Sequence, residues 1–179
     1  MRFCSGCGER LDGAPPVTCS RCGRSHWSNA KPAAGGLVTL GDKLLLVRRA
    51  NEPWAGSWCA PAGFCDGDEH PILTAEREIV EESGIHVRVV GFLGIWTDDY
   101  GPPAAGSPRE SISVAYYHAV PLEAESRPPD PEEVSEVRWF SWDELPADLA
   151  QPRSFPPVLA AWRSAFIAGT TVTPLPDRP

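Results

Sequence analysis

The sequence predicts an α+β domain behind a small cysteine-rich N-terminal unit. Three features predict it: short apolar runs of strand type from residue 36 onward, a helical stretch bounded by Pro71 and Gly84, and two CxxC pairs near the start. At 179 residues the chain can bury one full core and still carry a compact appendage of a few dozen residues. The expected division is 1–30 for the appendage, 31–170 for the main domain and 171–179 for a frayed, flexible tail.

Residues 4–27 are poor in aliphatic side chains and rich in Cys, Gly, Arg and Ser, so a hydrophobic core cannot hold them. Cys4-Ser5-Gly6-Cys7-Gly8 and Cys19-Ser20-Arg21-Cys22-Gly23 supply four thiolates at the spacing of a tetrahedral zinc ribbon, and the glycine after each pair permits a tight turn. The ribbon has two readings, a metal staple in place of a core or a surface for nucleic acid or a protein partner. Only Arg2, Arg10, Arg21 and Arg24 supply local positive charge, which favours the staple, because nucleic-acid binding depends on neutralising phosphates. His26 is read as a turn residue, with zinc ligation as the lesser alternative. Cys59 and Cys65 lack CxxC spacing and are expected to be small buried hydrophobes.

Charge and leader-type segments narrow the function classes. The chain carries 24 acidic against 16 basic residues, a net charge of -8, so it has no basic field to hold a polyanion. A small-molecule partner is expected rather than nucleic acid. No apolar signal core follows Met1 and no run approaches the roughly 18 apolar residues of a membrane span, so a cytoplasmic protein is expected, its cysteines committed to metal rather than disulfides. Homodimerisation is left open.

In the main domain, runs 36–40 and 43–47 read as a hairpin joined by Gly41-Asp42. A helix follows over 69–83, with Pro71 tolerated in its first turn and Gly84 at its C′ position. Further strands are expected at 87–94, 111–120 and 136–141, with short helices near 143–145 and 157–168. The Pro-rich stretches 101–108 and 127–131 read as surface loops.

The helix carries the chemistry. At 100° per residue Glu81 lies at 300° and Glu82 at 40° from Glu78, so three carboxylates share one face within about a turn. Ile72, Ala75 and Ile79 form an apolar stripe beside them, which sets the acids near the edge of the core. Oxygen donors grouped in this way suit Mg²⁺ or Mn²⁺. The alternative is an exposed charged helix with pairs such as Arg77 to Glu81. The loop before it favours the metal reading, because Gly63 and Gly67 let the backbone approach a ligand and offer it a carbonyl.

These residues resemble the Nudix box, Gx5Ex7REUxEExGU with U aliphatic: Gly63, Glu69, Arg77, Glu78, Ile79, Glu81, Glu82, Gly84 and Ile85 fill every specified position. The segments 44–49, 58–63 and 137–140 look like the flanks of Nudix domains, so the likeness spans about 33–168. The resemblance implies an α/β/α sandwich with a mixed sheet. It also implies a Mg²⁺- or Mn²⁺-dependent pyrophosphohydrolase acting on a nucleoside diphosphate joined to another group. Glu78 and Glu82 would be the principal metal ligands, with Glu81 beside them and a backbone carbonyl at Ala62 or Gly63. Arg77 would orient carboxylates, Glu69 included. The general base would be Glu78 itself or a later acid, for which Glu133 is the first candidate and Glu136 the second.

Ribbon-bearing members of this family include NADH pyrophosphatases and shorter proteins related to FAD and ADP-ribose pyrophosphatases. The first group carries an SQPWPFPxS signature after the box, whereas this chain reads Gly94-Ile95-Trp96-Thr97-Asp98-Asp99-Tyr100-Gly101 there, so the second group fits better. Trp54, Trp58, Trp96 and Tyr100 are expected in loops around the cleft, with Trp96 and Tyr100 as candidates to stack a substrate ring. A nucleoside triphosphate pyrophosphatase and a non-catalytic nucleotide sensor stand as alternatives; the sensor needs a damaged carboxylate helix, which this chain lacks.

Overall fold

The computed structural model of the chain describes residues 2–100, 110–122 and 129–167. The chain divides into two compact units, Met1–Ala30 and Lys31–Pro179. In the first, strands β1 (Val17–Thr18) and β2 (Ser25–His26) pair antiparallel beside two turns of the same design. Gly8 N–H donates to the Cys4 carbonyl and Gly23 N–H to the Cys19 carbonyl, both at 2.9 Å, and both glycines sit at φ +74°. That left-handed conformation is why a glycine follows each cysteine pair. Among the described residues the buried apolar cluster there is Cys4, Leu11 and Cys19, too small to hold the unit by apolar burial.

The second unit is built on β3 (Lys31–Leu40). Gly41, at φ +62°, turns it into β4 (Lys43–Arg49), with Thr39 opposite Leu44 and Leu40 opposite Lys43, the hairpin that Gly41-Asp42 predicts. Along its other edge β3 runs parallel to β8 (Ser111–Pro121), which pairs antiparallel with β7 (Val87–Asp99). The short β6 (Ala62–Phe64) pairs with the start of β3, while β5 (Trp58–Cys59) and β9 (Val134–Ser141) pair with β4. The sheet is therefore mixed.

Two helices cover its faces. Helix α1 (Pro71–Ser83) starts where the His70 ring accepts from the Ile72 N–H at 3.3 Å, and it ends at Gly84, whose φ of 73° lets its N–H reach the Val80 carbonyl at 2.8 Å. Glu69, expected as its first residue, lies outside it. Ile72, Ala75 and Ile79 bury against Ala34 and Val38 of β3. The helix comes this close because a Cβ on Gly36 would lie 2.5 Å from Ile79 Cδ1. Helix α2 (Phe155–Ile167) covers the opposite face, packing Phe155, Val158 and Trp162 against Leu37, Leu44 and Tyr116. The alternation of Leu37 with Val38 along one strand divides the two cores. The expected α/β/α sandwich holds.

Departures from expectation have local causes. α2 begins at Phe155 rather than 157, because the Asp98 carboxylate accepts the Ser154 N–H at 2.9 Å and caps the first turn. A 3-10 turn at Trp142–Glu144 stands where a helix near 143–145 is expected. β1, β2, β5 and β6 are two or three residues long, too short for a periodic signal. The loop 101–108, part of 127–131 and the tail 171–179 lie outside the described residues. Among the described residues no helix is long and apolar enough to cross a membrane.

Candidate active site

A cavity of about 460 Å³ opens where β6 meets the end of α1, and Glu78 and Glu82 line it. Both are 8% exposed. Gly63 lets Glu78 in, since a Cβ built there would overlap the Glu78 carboxyl group. Glu82 lies one turn on, and its Oε2 accepts the Ala62 N–H at 2.9 Å. Burial raises the Glu78 carboxyl above its ordinary value, against the pull of Arg77, and pushes Glu82 up to about 8, against the Ala62 N–H. Among the described residues Glu82 has no ion pair at salt-bridge distance.

Arg77 holds the acids in register and spends every donor doing so. Its Nε and one Nη2 proton clasp Glu69 at 3.0 and 2.9 Å, the other Nη2 proton reaches the Phe64 carbonyl at 3.2 Å, and Nη1 bonds Glu78 at 2.8 Å and Glu81 at 2.9 Å. A guanidinium has five N–H groups, so none is left for a ligand. The Arg77 hydrogen bonds bring Glu69 down to about 2, burial opposing. Glu81, held by the same Nη1 as Glu78, has a side chain 50% exposed and borders a second hollow with Val80 and His86. The helix thus brings Glu78 and Glu82 to the cavity and sets Glu81 beside it.

Of the two glutamates proposed as bases, Glu133 lines the cavity. Glu136 does not; it lies 46% exposed, 3.8 Å from Arg48. Among the described residues five acidic side chains line the cavity, Glu52, Asp66, Glu78, Glu82 and Glu133, against two arginines, Arg77 and Arg49. With Arg77 fully engaged, Arg49 is the cation among them left to face a ligand, its Nε tied to the Pro53 carbonyl at 2.8 Å. Nothing in the spacing of the sequence points to Arg49, Asn51 or Gln151, which the topology brings to this cavity from distant loops and strand ends.

The aromatic expectations divide. Tyr100 lines the cavity and packs 5.3 Å from Phe64, with Lys31 Nζ 5.9 Å from its ring centre. Trp54 meets Tyr100 edge-on at 6.4 Å from its loop. Trp58 and Trp96, expected in loops, are on strands. Trp58 lies in β5, buried against Phe140 at 4.9 Å, and Trp96 lies in β7, packed on Tyr116 at 6.1 Å and outside the cavity lining.

In the N-terminal unit the sulfurs of Cys4, Cys7, Cys19 and Cys22 all lie within 4.8 Å of one another, with Cys4–Cys22 at 3.5 Å and Cys7–Cys19 at 3.7 Å. A tetrahedral Zn²⁺ with bonds of about 2.3 Å needs sulfurs roughly 3.8 Å apart, so the group fits zinc. Burial opposes ionisation of Cys4, yet the Gly6 N–H and the His26 ring bring it down to about 6. His26 is not a turn residue: it lies in β2, 5% exposed, with Nε2 3.3 Å from Cys4 Sγ, placed to donate to a sulfur rather than to replace one. Cys59 is buried, as expected, and Cys65 half-buried.

Known proteins share this architecture. The chain is 30% identical over 149 residues to the NAD-capped RNA hydrolase NudC of Stutzerimonas stutzeri, covering 82% of this chain and 50% of that one. It thus spans about half the length of the NudC relatives it matches. The ADP-ribose pyrophosphatase of Methanocaldococcus jannaschii is 29% identical over 114 residues, 64% of this chain and 63% of that one. Among solved structures, a Nudix hydrolase from Nitrosomonas europaea superposes with a TM-score of 0.76 at 26% identity, covering 97% of this chain and 96% of that chain. A family model described as the NUDIX domain matches residues 29–161, the stretch that holds the sheet, both carboxylates and Arg77, and the chain belongs to that family.

Proposed function

We propose that this chain is a divalent-metal-dependent pyrophosphohydrolase that cleaves the diphosphate of a nucleoside diphosphate joined to another group, of the ADP-ribose, NADH or FAD type. One observation carries the reading: two buried carboxylates, Glu78 and Glu82, share a cavity wall with Gly63, and the neighbouring Arg77 has no donor left for a ligand. Two acids buried side by side call for cations, and hard oxygen donors suit Mg²⁺ or Mn²⁺. Glu78, Glu82 and a backbone carbonyl at Ala62 or Gly63 would hold them, with Glu81 next to the site. When bound, such cations supply positive charge to the diphosphate oxygens and make water a better nucleophile.

The chain's own groups do the rest. Arg77 fixes the rotamers of Glu78 and Glu69, so the ligand set is ordered before a substrate arrives. Arg49, its Nε held by the Pro53 carbonyl, also lines the cavity and takes phosphate oxygens of the substrate. Glu133, which lines the same cavity, accepts the proton of the attacking water. Tyr100 offers a ring face to the substrate's planar group. Residues 31–170 form the hydrolase domain and residues 1–30 a zinc ribbon that acts as a staple.

The names of the relatives support a dinucleotide-type substrate over a triphosphate, since one is a NAD-capped RNA hydrolase and another an ADP-ribose pyrophosphatase. The test is product chromatography with ADP-ribose, NADH, FAD, a diadenosine polyphosphate and nucleoside triphosphates, each with Mg²⁺ or Mn²⁺. Release of a nucleoside monophosphate from one of the first three is the expected result. Turnover of none of the panel would leave a nucleotide sensor in its place.

A further inference from the structure

We propose that Gln151 reads the nucleobase: its amide N–H group, oriented by Tyr116, donates a hydrogen bond to an acceptor atom on the edge of the base. This rests on the cavity being a nucleotide site and names a specificity residue within it.

The orientation follows from a buried phenol. Tyr116 is fully buried on β8, and its hydroxyl lies 3.0 Å from Gln151 Oε1. Burial pushes the phenol well above its ordinary range, so it keeps its proton. That proton needs an acceptor, and among the described residues the Gln151 oxygen is the one it has. With the amide oxygen committed to Tyr116, the two amide N–H donors are the groups Gln151 has left for a ligand in the cavity it lines.

The backbone holds the residue in place at a cost. Gln151 has φ +52°, a left-handed conformation uncommon for a side-chain-bearing residue. Its carbonyl accepts from Ser154 N–H at 3.1 Å and Phe155 N–H at 3.0 Å, and Asp98 secures the same turn through Ser154. A strained residue fixed from three sides beside a cavity is a residue set for recognition.

Register ties it to the carboxylates. Gly35 of β3 pairs with Ala62 on one side and Tyr116 on the other, so these three residues form a row across the sheet. Glu82 accepts from the Ala62 N–H at one end of that row and Gln151 from the Tyr116 hydroxyl at the other, and both side chains line the one cavity. Ile112 and Val114 supply apolar walls between, and Tyr100 an aromatic one.

The test compares two probes, ADP-ribose and its purine-riboside analogue, which keeps the ring-nitrogen acceptors of adenine and lacks its amino donor. Affinities for the full chain are measured by calorimetry in EDTA, with turnover of ADP-ribose in Mg²⁺ measured separately. Q151E leaves one oxygen for Tyr116 and turns the other, an acceptor, to the cavity. The adenine-over-purine affinity ratio should then rise roughly tenfold or more. Q151L should weaken both probes about tenfold. A residue that only satisfies Tyr116 would change stability and leave that ratio alone. An unchanged ratio in a folded Q151E, or unchanged affinities in Q151L, overturns the proposal. Turnover without the shift sinks the role of Gln151 alone, the shift without turnover sinks the hydrolase reading alone, and a wild type that shows neither binding nor turnover sinks both.

Discussion

The carboxyl group of Glu78 occupies the space where a side chain on Gly63 would stand. A methyl group there must displace it, while the strand pairing of Gly63 with Ala34 needs only backbone. Gly63→Ala is therefore expected to leave the fold intact and lower kcat about a hundredfold, the usual cost of misplacing a reacting group by about an ångström. Circular dichroism, Mg²⁺ titration and steady-state kinetics check this; wild-type turnover in the variant would show that Glu78 need not sit there.

That relationship also marks where sequence reasoning reaches. The helical spacing of Glu78 and Glu82 and the glycine at 63 are local, and the pattern shows both. Glu81 shares the same arc of the helix, yet it is half exposed on the second Nη1 bond of Arg77 and does not line the cavity, a matter of side-chain geometry that no spacing reveals. Arg49 and Gln151 reach the cavity through the tertiary fold, although they lie 102 residues apart in the chain. Trp96 shows the opposite limit: strand β7 continues to Asp99, five residues beyond the expected 94, and carries this ring onto Tyr116.

Burial of Glu82 makes metal binding depend on pH. Its folded value is about 8 against an ordinary 4.5, so between those limits the metal-free folded chain holds a proton that the unfolded chain has released. Stability from this group is full below about 4.5 and is lost as pH rises toward 8. Metal binding needs the carboxylate and expels the proton. Mg²⁺ affinity should therefore climb with pH up to about 8, by as much as about tenfold per unit if one proton leaves. Tryptophan fluorescence titrations across that range test it, and a flat profile, or one that Glu82→Gln leaves unchanged, would count against the assignment.

Glu69 behaves in the opposite sense. Its folded value near 2 lies below the ordinary 4.5, so the clasp with Arg77 contributes stability above 4.5 and loses it as pH falls through 2. Glu69→Gln should lower the melting temperature at neutral pH and narrow that gap in acid. It should also reduce turnover without contacting substrate, because Arg77 then holds Glu78 less firmly. Melting curves from about pH 7 down to about pH 3 supply the check, and parallel loss at every pH would remove the ion pair as the cause.

The two candidate bases separate by position. Glu133 lines the cavity, whereas Glu136 is an exposed partner of Arg48 at 3.8 Å. Glu133→Gln should lower kcat by about 10² to 10⁴, the range for loss of a general base. Glu136→Gln should stay within about twofold, since an exposed pair contributes little. Equal losses in the two variants would return the proton to Glu78 or to solvent.

The zinc ribbon offers a test that turns on one sulfur. Cys4 Sγ accepts from the Gly6 N–H at 3.3 Å and meets His26 Nε2 at 3.3 Å, so it has the most support among the four thiols. Full-length protein should contain about one zinc, and Cys4→Ser should lose it, because three thiolates close the tetrahedron poorly. His26→Ala keeps all four sulfurs and removes only the ring beside one of them. If the ring orients Cys4, zinc affinity should fall about 10- to 100-fold while the stoichiometry holds. Competition with a chromogenic chelator measures both quantities. Unchanged affinity would make His26 a packing residue, and loss of zinc altogether would make it a ligand, which its place behind the Cys4 sulfur opposes.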